Sequence, residues 1–375
     1  MGGTERHLLQ VLPRLRHEGL RPVVYTLTHR GELANAMEQA GIPVMTFPGS
    51  VRLRSLPKGW RTPIVLILTA LRLWFIMIKL RPALVHFFLP TAYLVGAPVA
   101  MAAFCRRLLM SRRSRNHYQL RHPVLTRVEH WLHRHMEIVI GNSRAVMADL
   151  VREGIPEKRL RLLYNGIQVT QRGTSSDGAG VRREFGISEQ AIVFILVANL
   201  IPYKGHADLI MALGMIRRQL PSDWVLLCVG HDHGIKADLV QQAEDLGIAD
   251  RVRFLGQRRD VERLLPMADI GLLVSHEEGF SNSVLEKMAA GLPMVVTDVG
   301  GNAEIVEHGI CGYVVPPHAP DALGAAIIRL VYNSSRINMG LAAQARVWRD
   351  FSLDRCVDAY MIIYRKIMYP HLYEF

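Results

Sequence analysis

Along most of this chain, short continuous apolar runs alternate with amphipathic stretches of about 10 to 15 residues. In the C-terminal part the runs are AIVFILVA (191–198), WVLLCV (224–229), VRFL (252–255), IGLLV (270–274) and MVVT (294–297). In the N-terminal part they are PVVYTLT (22–28), VMTF (44–47), ALVHFF (83–88), LLMS (108–111) and EIVI (137–140). A strand without polar alternation is covered on both faces, and helical crossovers between such strands make the sheet parallel. Between the two series QVTQRGTSSDGAG (168–180) has no periodicity and reads as a linker. The pattern predicts an α/β protein of two doubly wound domains, with ligands expected at the carboxyl ends of the strands. A first half of this type should open with a strand feeding the Gly2-Gly3 turn, yet the sequence starts on the turn itself. The expectation is therefore a first domain lacking its first strand, or a start internal to a longer chain.

A length of 375 residues suits two domains with separate cores. Cys105, Cys228, Cys311 and Cys356 form no CxxC pair, which argues against a disulfide framework or a zinc site and points to a reducing, cytoplasmic compartment. Nothing resembling a signal peptide precedes the first helical pattern. Charge changes the picture more. Residues 1–172 hold 26 Lys and Arg against nine Asp and Glu, whereas the remainder holds 19 against 24, and no acidic residue occurs between Glu38 and Glu129. In that basic window residues 63–80 form an apolar run approaching the roughly 20 residues of a membrane span, but a central Arg72 costs about 2.5 to 3.5 kcal/mol there. The spacing of Thr69, Arg72 and Lys79 gathers them on one narrow face. Two readings stay open: a helix lying in an anionic membrane surface on the inner face of the membrane, or a core helix with an unusually apolar face. A nucleic-acid partner is not expected, because no aromatic-and-basic signature or helix-turn-helix pattern accompanies the charge.

Candidate chemistry sits after three of the apolar runs. In EEGFSNSVLE (277–286), Ser281, Asn282 and Ser283 are suited to cap a helix that ends at Gly291-Leu292-Pro293, so Gly279, Phe280, Ser281 and Asn282 lie where backbone N–H groups face an anion. Glu278 precedes that turn and Glu286 lies one turn or so inside the helix, two carboxylates able to accept from vicinal hydroxyls. After 191–198, Asn199 and Lys204-Gly205 follow, with Lys204 placed to neutralise a phosphate. After 294–297 comes the Gly300-Gly301 turn. Two glutamates eight apart occur often by chance; joined to Lys204 and the glycine pair, each at a predicted strand end, they read as a site. His231-Asp232-His233 reads as a solvated loop rather than a metal set, and His86 as either an acceptor-cleft residue or a satisfied core histidine.

These residues carry a resemblance to glycosyltransferase family 4, retaining enzymes of the GT-B fold. Glu278 and Glu286 resemble its Glu-x7-Glu motif, Lys204-Gly205 its phosphate-binding pair, and Gly300-Gly301-Asn302-Ala303-Glu304 its Gly-Gly-x-x-Glu segment. Gly2-Gly3 resembles the glycine loop facing the donor diphosphate, and Asn142-Ser143 a strand-end pair. The resemblance implies two Rossmann-like domains facing a central cleft: an acceptor-side domain over 1–170, a nucleotide-sugar domain over 171–350, and a last helix over 351–375 crossing back to the first. It implies a nucleotide-sugar donor as substrate rather than a bound cofactor, and a glycan or lipid-linked acceptor in cell-surface polysaccharide synthesis. Glu278 would hold the transferred sugar, Glu286 the ribose, and Lys204 the leaving diphosphate. No Asp-x-Asp triplet occurs, so no metal is expected at the donor. Asn199 and Arg113 depart from the pattern, standing where Arg and a sugar-facing His are frequent, and Arg113 is a candidate contact to a phosphate or an anionic acceptor. The alternatives are a truncated or degenerate GT-B protein serving as a non-catalytic binding partner and, less favoured, a sugar-nucleotide epimerase.

Overall fold

A computed structural model of the chain describes residues 3–27, 30–31, 33–47, 58–115, 119, 122–168 and 178–372. In order the elements are α1 (Gly3–His17), β1 (Val24–Thr26), α2 (Ala34–Gln39), β2 (Val44–Thr46), α3 (Lys58–Leu80), β3 (Val85–Phe88), α4 (Pro90–Ala102), β4 (Leu108–Arg112), α5 (Pro123–His133), β5 (Ile138–Gly141), α6 (Arg144–Arg152) and β6 (Leu160–Leu162). Then come α7 (Gly178–Glu184), β7 (Ile192–Val197), α8 (His206–Ile216), β8 (Trp224–Val229), α9 (Lys236–Asp245), β9 (Val252–Gly256), α10 (Val261–Leu264), β10 (Ile270–Leu273), α11 (Asn282–Ala289), β11 (Met294–Thr297), α12 (Asn302–Ile305), β12 (Gly312–Val315), α13 (Pro320–Val331), α14 (Arg336–Asp350) and α15 (Leu353–Met368). Contacts divide the chain into two units, Met1–Gln168 with Leu353–Phe375, and Val169–Ser352. Of the aperiodic 168–180 segment, Gly178 to Gly180 open α7, because the helical pattern of Val181 extends back over them; residues 169–177 lie outside the described residues.

In the first unit every pairing is parallel, in the order β3-β4-β5-β6, with β1-β2 as a separate ladder. β4 is buried throughout, and its alternate side chains enter two cores. Leu108 and Met110 join Leu73 and Met77 of α3, Tyr93 and Ala97 of α4, Leu132 of α5 and Leu150 of α6. Leu109, with Ile140, faces Val11 and Leu15 of α1 and Val357, Tyr360, Met361 and Tyr364 of α15. At about 1.5 to 3 kcal/mol for each large apolar side chain buried, this seam fixes the last helix to the first unit. Among the described residues β1 and β3 do not pair, so the sheet is in two parts, linked through α3: Tyr25 Oη donates to Thr69 O at 3.0 Å and Thr69 Oγ1 to Leu27 O at 3.0 Å.

Those bonds correct one expectation. Thr69 does not share a polar face with Arg72 and Lys79; it belongs to the buried row Val65, Thr69, Leu73, Met77, where its hydroxyl has a carbonyl to bond. The opposite side of α3 exposes Ile67, Leu71, Trp74, Phe75 and Ile78. No helix among the described residues is long and apolar enough to cross a membrane.

The second unit has one parallel sheet, β12-β11-β10-β7-β8-β9. From β7 the chain winds outward through β8 and β9, then returns to place β10 on the other side of β7. The strand order therefore reverses between β7 and β10, which opens a crevice at their carboxyl ends. Two strands escape the apolar-run reading, β6 and β12. β6 is three residues long with Arg161 at its centre, which breaks the apolar run, and β12, Gly312-Tyr313-Val314-Val315, is apolar but only four residues long and opens on a glycine.

Candidate active site

The loops leaving β7, β10 and β11 are neighbours because their strands are neighbours, and backbone bonds stitch them together. His276 N donates to Tyr203 O at 2.7 Å, joining the β10 loop to the β7 loop, and Gly301 N donates to Gly279 O at 2.8 Å, joining the β11 loop to the β10 loop. Thr297 Oγ1 adds a bond to Ser275 O at 2.5 Å. Two glycines make this closeness possible. Gly205 has φ +73°, and a Cβ there would lie 2.0 Å from Val274 O; Gly300 has φ +56°, and a Cβ there would lie 2.0 Å from Glu278 O.

Across the β7–β10 crevice Lys204 Nζ donates to Glu278 Oε1 at 2.7 Å, and Ser275 Oγ donates to the same oxygen at 2.9 Å. The two charged side chains are 18% and 12% exposed, so the pair faces solvent at one side only. Among the described residues the ammonium donates this one hydrogen bond, of the three it can make. Ser281 caps α11 through its Oγ, which accepts from Val284 N, and Ser283 Oγ donates to Val197 O at 2.7 Å, pinning the first turn of α11 to the end of β7. Glu286 is partly exposed one turn further on, Asn282 opens the helix, and Phe280 is buried edge-on against Phe351. Asn199 is exposed, and its Oδ1 accepts from His231 N at 3.1 Å, so it holds the loop after β8.

Beneath the pair lies Lys287, which the motif reading passes over. It is fully buried, and Nζ donates to Leu272 O at 2.7 Å and Ser283 Oγ at 3.0 Å. Gly271 leaves it room, since a Cβ there would come within 3.1 Å of Lys287 Cδ. Burial lowers its pKa to about 7; the carboxylates of Glu286 and Glu278 pull the other way, and Lys204 adds to the lowering. One buried amine thus lies within electrostatic reach of all three charged candidates. The available signal was helical spacing: position 287 follows Val284 by three, on the face that packs inward. Burial and the nearby Lys204 likewise bring His206, in the first turn of α8, down to about 4.

The remaining candidates lie elsewhere. Gly2 is outside the described residues, and Gly3 opens α1, exposed. In the first unit His86 Nδ1 is hydrogen-bonded to Tyr364 Oη at 2.7 Å and Nε2 to Ser111 Oγ at 2.8 Å, so both ring nitrogens have partners; burial, then Arg113, pushes its pKa down to about 3. Arg113 donates to Asn165 Oδ1 at 2.7 Å. Its neighbour Arg112 emerges on the opposite face, buried against Glu129 at 2.8 Å and against Glu153. Ser143 caps α6 and Asn142 donates to Arg113 O at 3.3 Å. Asp232 Oδ1 accepts from Gly234 N, Ile235 N and Lys236 N, a turn that starts α9. A different trio, Asp208, His276 and His318, brings its ligand atoms within 4.8 Å of one another.

Residues 180–346 match the family described as glycosyl transferases group 1, and residues 1–171 match glycosyltransferase family 4. N-acetyl-alpha-D-glucosaminyl L-malate synthase of Bacillus anthracis is 32% identical over 233 residues, 62% of this chain and 60% of that protein. Lipopolysaccharide glucosyltransferase WaaG of Escherichia coli is 31% identical over 170 residues, 45% of each. The chain thus spans about half the length of the curated relatives it matches. The crystal structure of Anabaena Alr3699/HepE in complex with UDP-glucose superposes with a TM-score of 0.81 at 26% identity, covering 97% of this chain and 96% of that one. The two sequence matches together take in both units, and with the fold they establish that the chain belongs to glycosyltransferase family 4, proteins of the GT-B fold.

Proposed function

We propose that this protein transfers a sugar from a nucleotide-sugar donor to a glycan or lipid-linked acceptor, with retention at the anomeric carbon, in the synthesis of a cell-surface polysaccharide. The observation that carries the reading is the Lys204–Glu278 pair at the switch between β7 and β10, above the N-terminus of α11. Breaking a glycosyl–phosphate bond builds negative charge on the departing diphosphate. An ammonium and a helix terminus fixed beforehand at that place stabilise the transition state more than the ground state. In this role Glu278 holds Lys204 in place and offers its other oxygen to sugar hydroxyls. Glu286 accepts from the ribose, and the backbone from Gly279 to Asn282, with Gly300 and Gly301, lines the phosphates. Relatives and neighbours named for glucose or N-acetylglucosamine chemistry support a hexosyl or N-acetylhexosaminyl donor.

The acceptor side supports work at the inner membrane surface. Besides the stripe on α3, α5 exposes Val124, Leu125, Val128 and Trp131, flanked by Arg127 and Arg134, and α4 packs between these two helices. Apolar stripes with basic borders suit an anionic bilayer. The test is to incubate the purified chain with UDP, GDP, dTDP and ADP sugars and measure nucleotide release with and without lipid acceptor. Release that needs Lys204 and an acceptor is the expected result. Nucleotide binding without release under every condition would favour the non-catalytic reading, which the two-part sheet of the first unit among the described residues supports; release without acceptor would favour a hydrolase, and a changed donor sugar without net release an epimerase.

A further inference from the structure

Three residues distant in sequence meet on the surface of the second unit. Asp208 lies in the first turn of α8, His276 follows β10, and His318 lies in the loop between β12 and α13. His276 Nε2 is 2.8 Å from Asp208 Oδ2, and His318 Nδ1 is 4.0 Å from the same oxygen. The two imidazole rings face each other, centroids 3.6 Å apart at 37°. His318 holds φ +55°, a left-handed backbone that costs a β-carbon residue about 1 to 2 kcal/mol and that a glycine would adopt freely. A costly conformation that directs an imidazole onto a second imidazole and a carboxylate needs a compensating interaction. The hydrogen bond from His276 leaves His318 without one of comparable strength among the described residues.

We propose that Asp208, His276 and His318 form a binding site for one divalent transition-metal ion of the zinc type. Two imidazole nitrogens and one carboxylate oxygen are the donor set of such ions, whereas calcium and magnesium take oxygen. The side chains are 26%, 20% and 66% exposed, so a bound ion keeps solvent-facing positions for water. The ion replaces the proton between His276 and Asp208 and gives the His318 ring its missing partner. Its position gives it a consequence. His276 is two residues before Glu278 and bonded through its N–H to Tyr203, and Asp208 is four residues after Lys204. The ion therefore links the β7 and β10 loops to each other and to the loop after β12. None of its three ligands is assigned a role in the transfer reaction, so failure of this site would leave the proposed function standing.

The experiment uses the untagged chain, stripped with chelator, titrated with Zn²⁺ by calorimetry and with Co²⁺ by visible absorption, with thermal unfolding in parallel. The expected result is one equivalent bound at micromolar or tighter affinity, a Co²⁺ ligand-field band, and a rise in melting temperature with metal concentration. His318→Gly relieves the backbone while removing a ligand, so it should fold at least as well as the parent yet bind more than about tenfold more weakly. Asp208→Asn should behave likewise toward metal. Absence of stoichiometric binding in the parent, or equal binding in the parent and both variants, would overturn the assignment.

Discussion

The two units treat charge in opposite ways. In the second, Lys204 and Glu278 meet at a strand-end crevice with one side open, where an incoming phosphate or hydroxyl can take over part of the pair. In the first, Arg112, Glu129 and Glu153 are closed off beneath α5 and α6, with His133 completing the group by a bond to Glu153 at 3.1 Å. Burial acts to raise Glu153, but the hydrogen bonds from His133 and Arg112 prevail and hold it at about 2. An exchangeable pair suits a ligand, as proposed above, and a sealed one suits the fold, so breaking each should show in a different measurement.

The largest effect is expected where no water can compensate. Arg112→Met withdraws the guanidinium from both Glu129, 1% exposed, and Glu153, and removing one partner of a buried pair costs about 3 to 5 kcal/mol. Urea unfolding should register that loss, and adding Glu129→Leu should recover part of it; a loss below 1 kcal/mol would show that the group is not sealed. Next comes Lys204→Ala. It should lower the turnover of nucleotide release by about 10²- to 10³-fold, as loss of a preorganised charge at a leaving group does, while unfolding free energy moves by less than about 1 kcal/mol. Equal activity of parent and variant would remove Lys204 from the chemistry.

Much of this contrast could be read before any coordinates. Alternating apolar runs disclosed the parallel sheets, since strands covered on both faces are apolar throughout, whereas β6 is broken by Arg161 and β12 is a four-residue stretch opening on Gly312. Lys204, Glu278 and Gly300 were legible because each follows its strand directly, and strand adjacency then determines which loops touch. Lys287 was overlooked because it adjoins Glu286 in sequence but points into the core. The sealed group in the first unit was illegible except in one respect: Arg112 and Arg113 are consecutive in an extended segment, so they had to leave on opposite faces. The trio of Asp208, His276 and His318 comes from three separated loops, which no local pattern could join.

A smaller effect distinguishes the units by pH. His7, His86 and His133 in the first unit all have lowered pKa values, chiefly through burial, and so bind a proton less readily when folded. The unfolded chain takes up protons near the ordinary value of about 6.5, so below that pH the unfolded state binds more protons and stability falls. The second unit has the same liability at His206. Hydrogen exchange between pH 7 and 5 should therefore show the first unit losing protection before the second, and His86→Gln, which keeps hydrogen-bonding groups near Tyr364 and Ser111, should reduce the difference. Simultaneous loss in both units would remove the distinction.

Lys287 gives the smallest and most specific test, because here, as in the sealed group of the first unit, an ionisable side chain is fully buried. Its folded pKa of about 7 lies below the ordinary 10.5. Between these values the unfolded chain carries a proton that the folded chain lacks, so this group makes stability rise as pH goes from about 7 to 10.5, and the rise ends once both states are neutral. The neutral amine has two N–H groups, matching the two acceptors, Leu272 O and Ser283 Oγ. Lys287→Met keeps the bulk and removes the titration, so its unfolding free energy measured at pH 7, 8.5 and 10 should rise less steeply than the parent's. If the slopes coincide, Lys287 is charged throughout, and the ground beneath Lys204 and Glu278 is a permanent cation that repels the first and attracts the second.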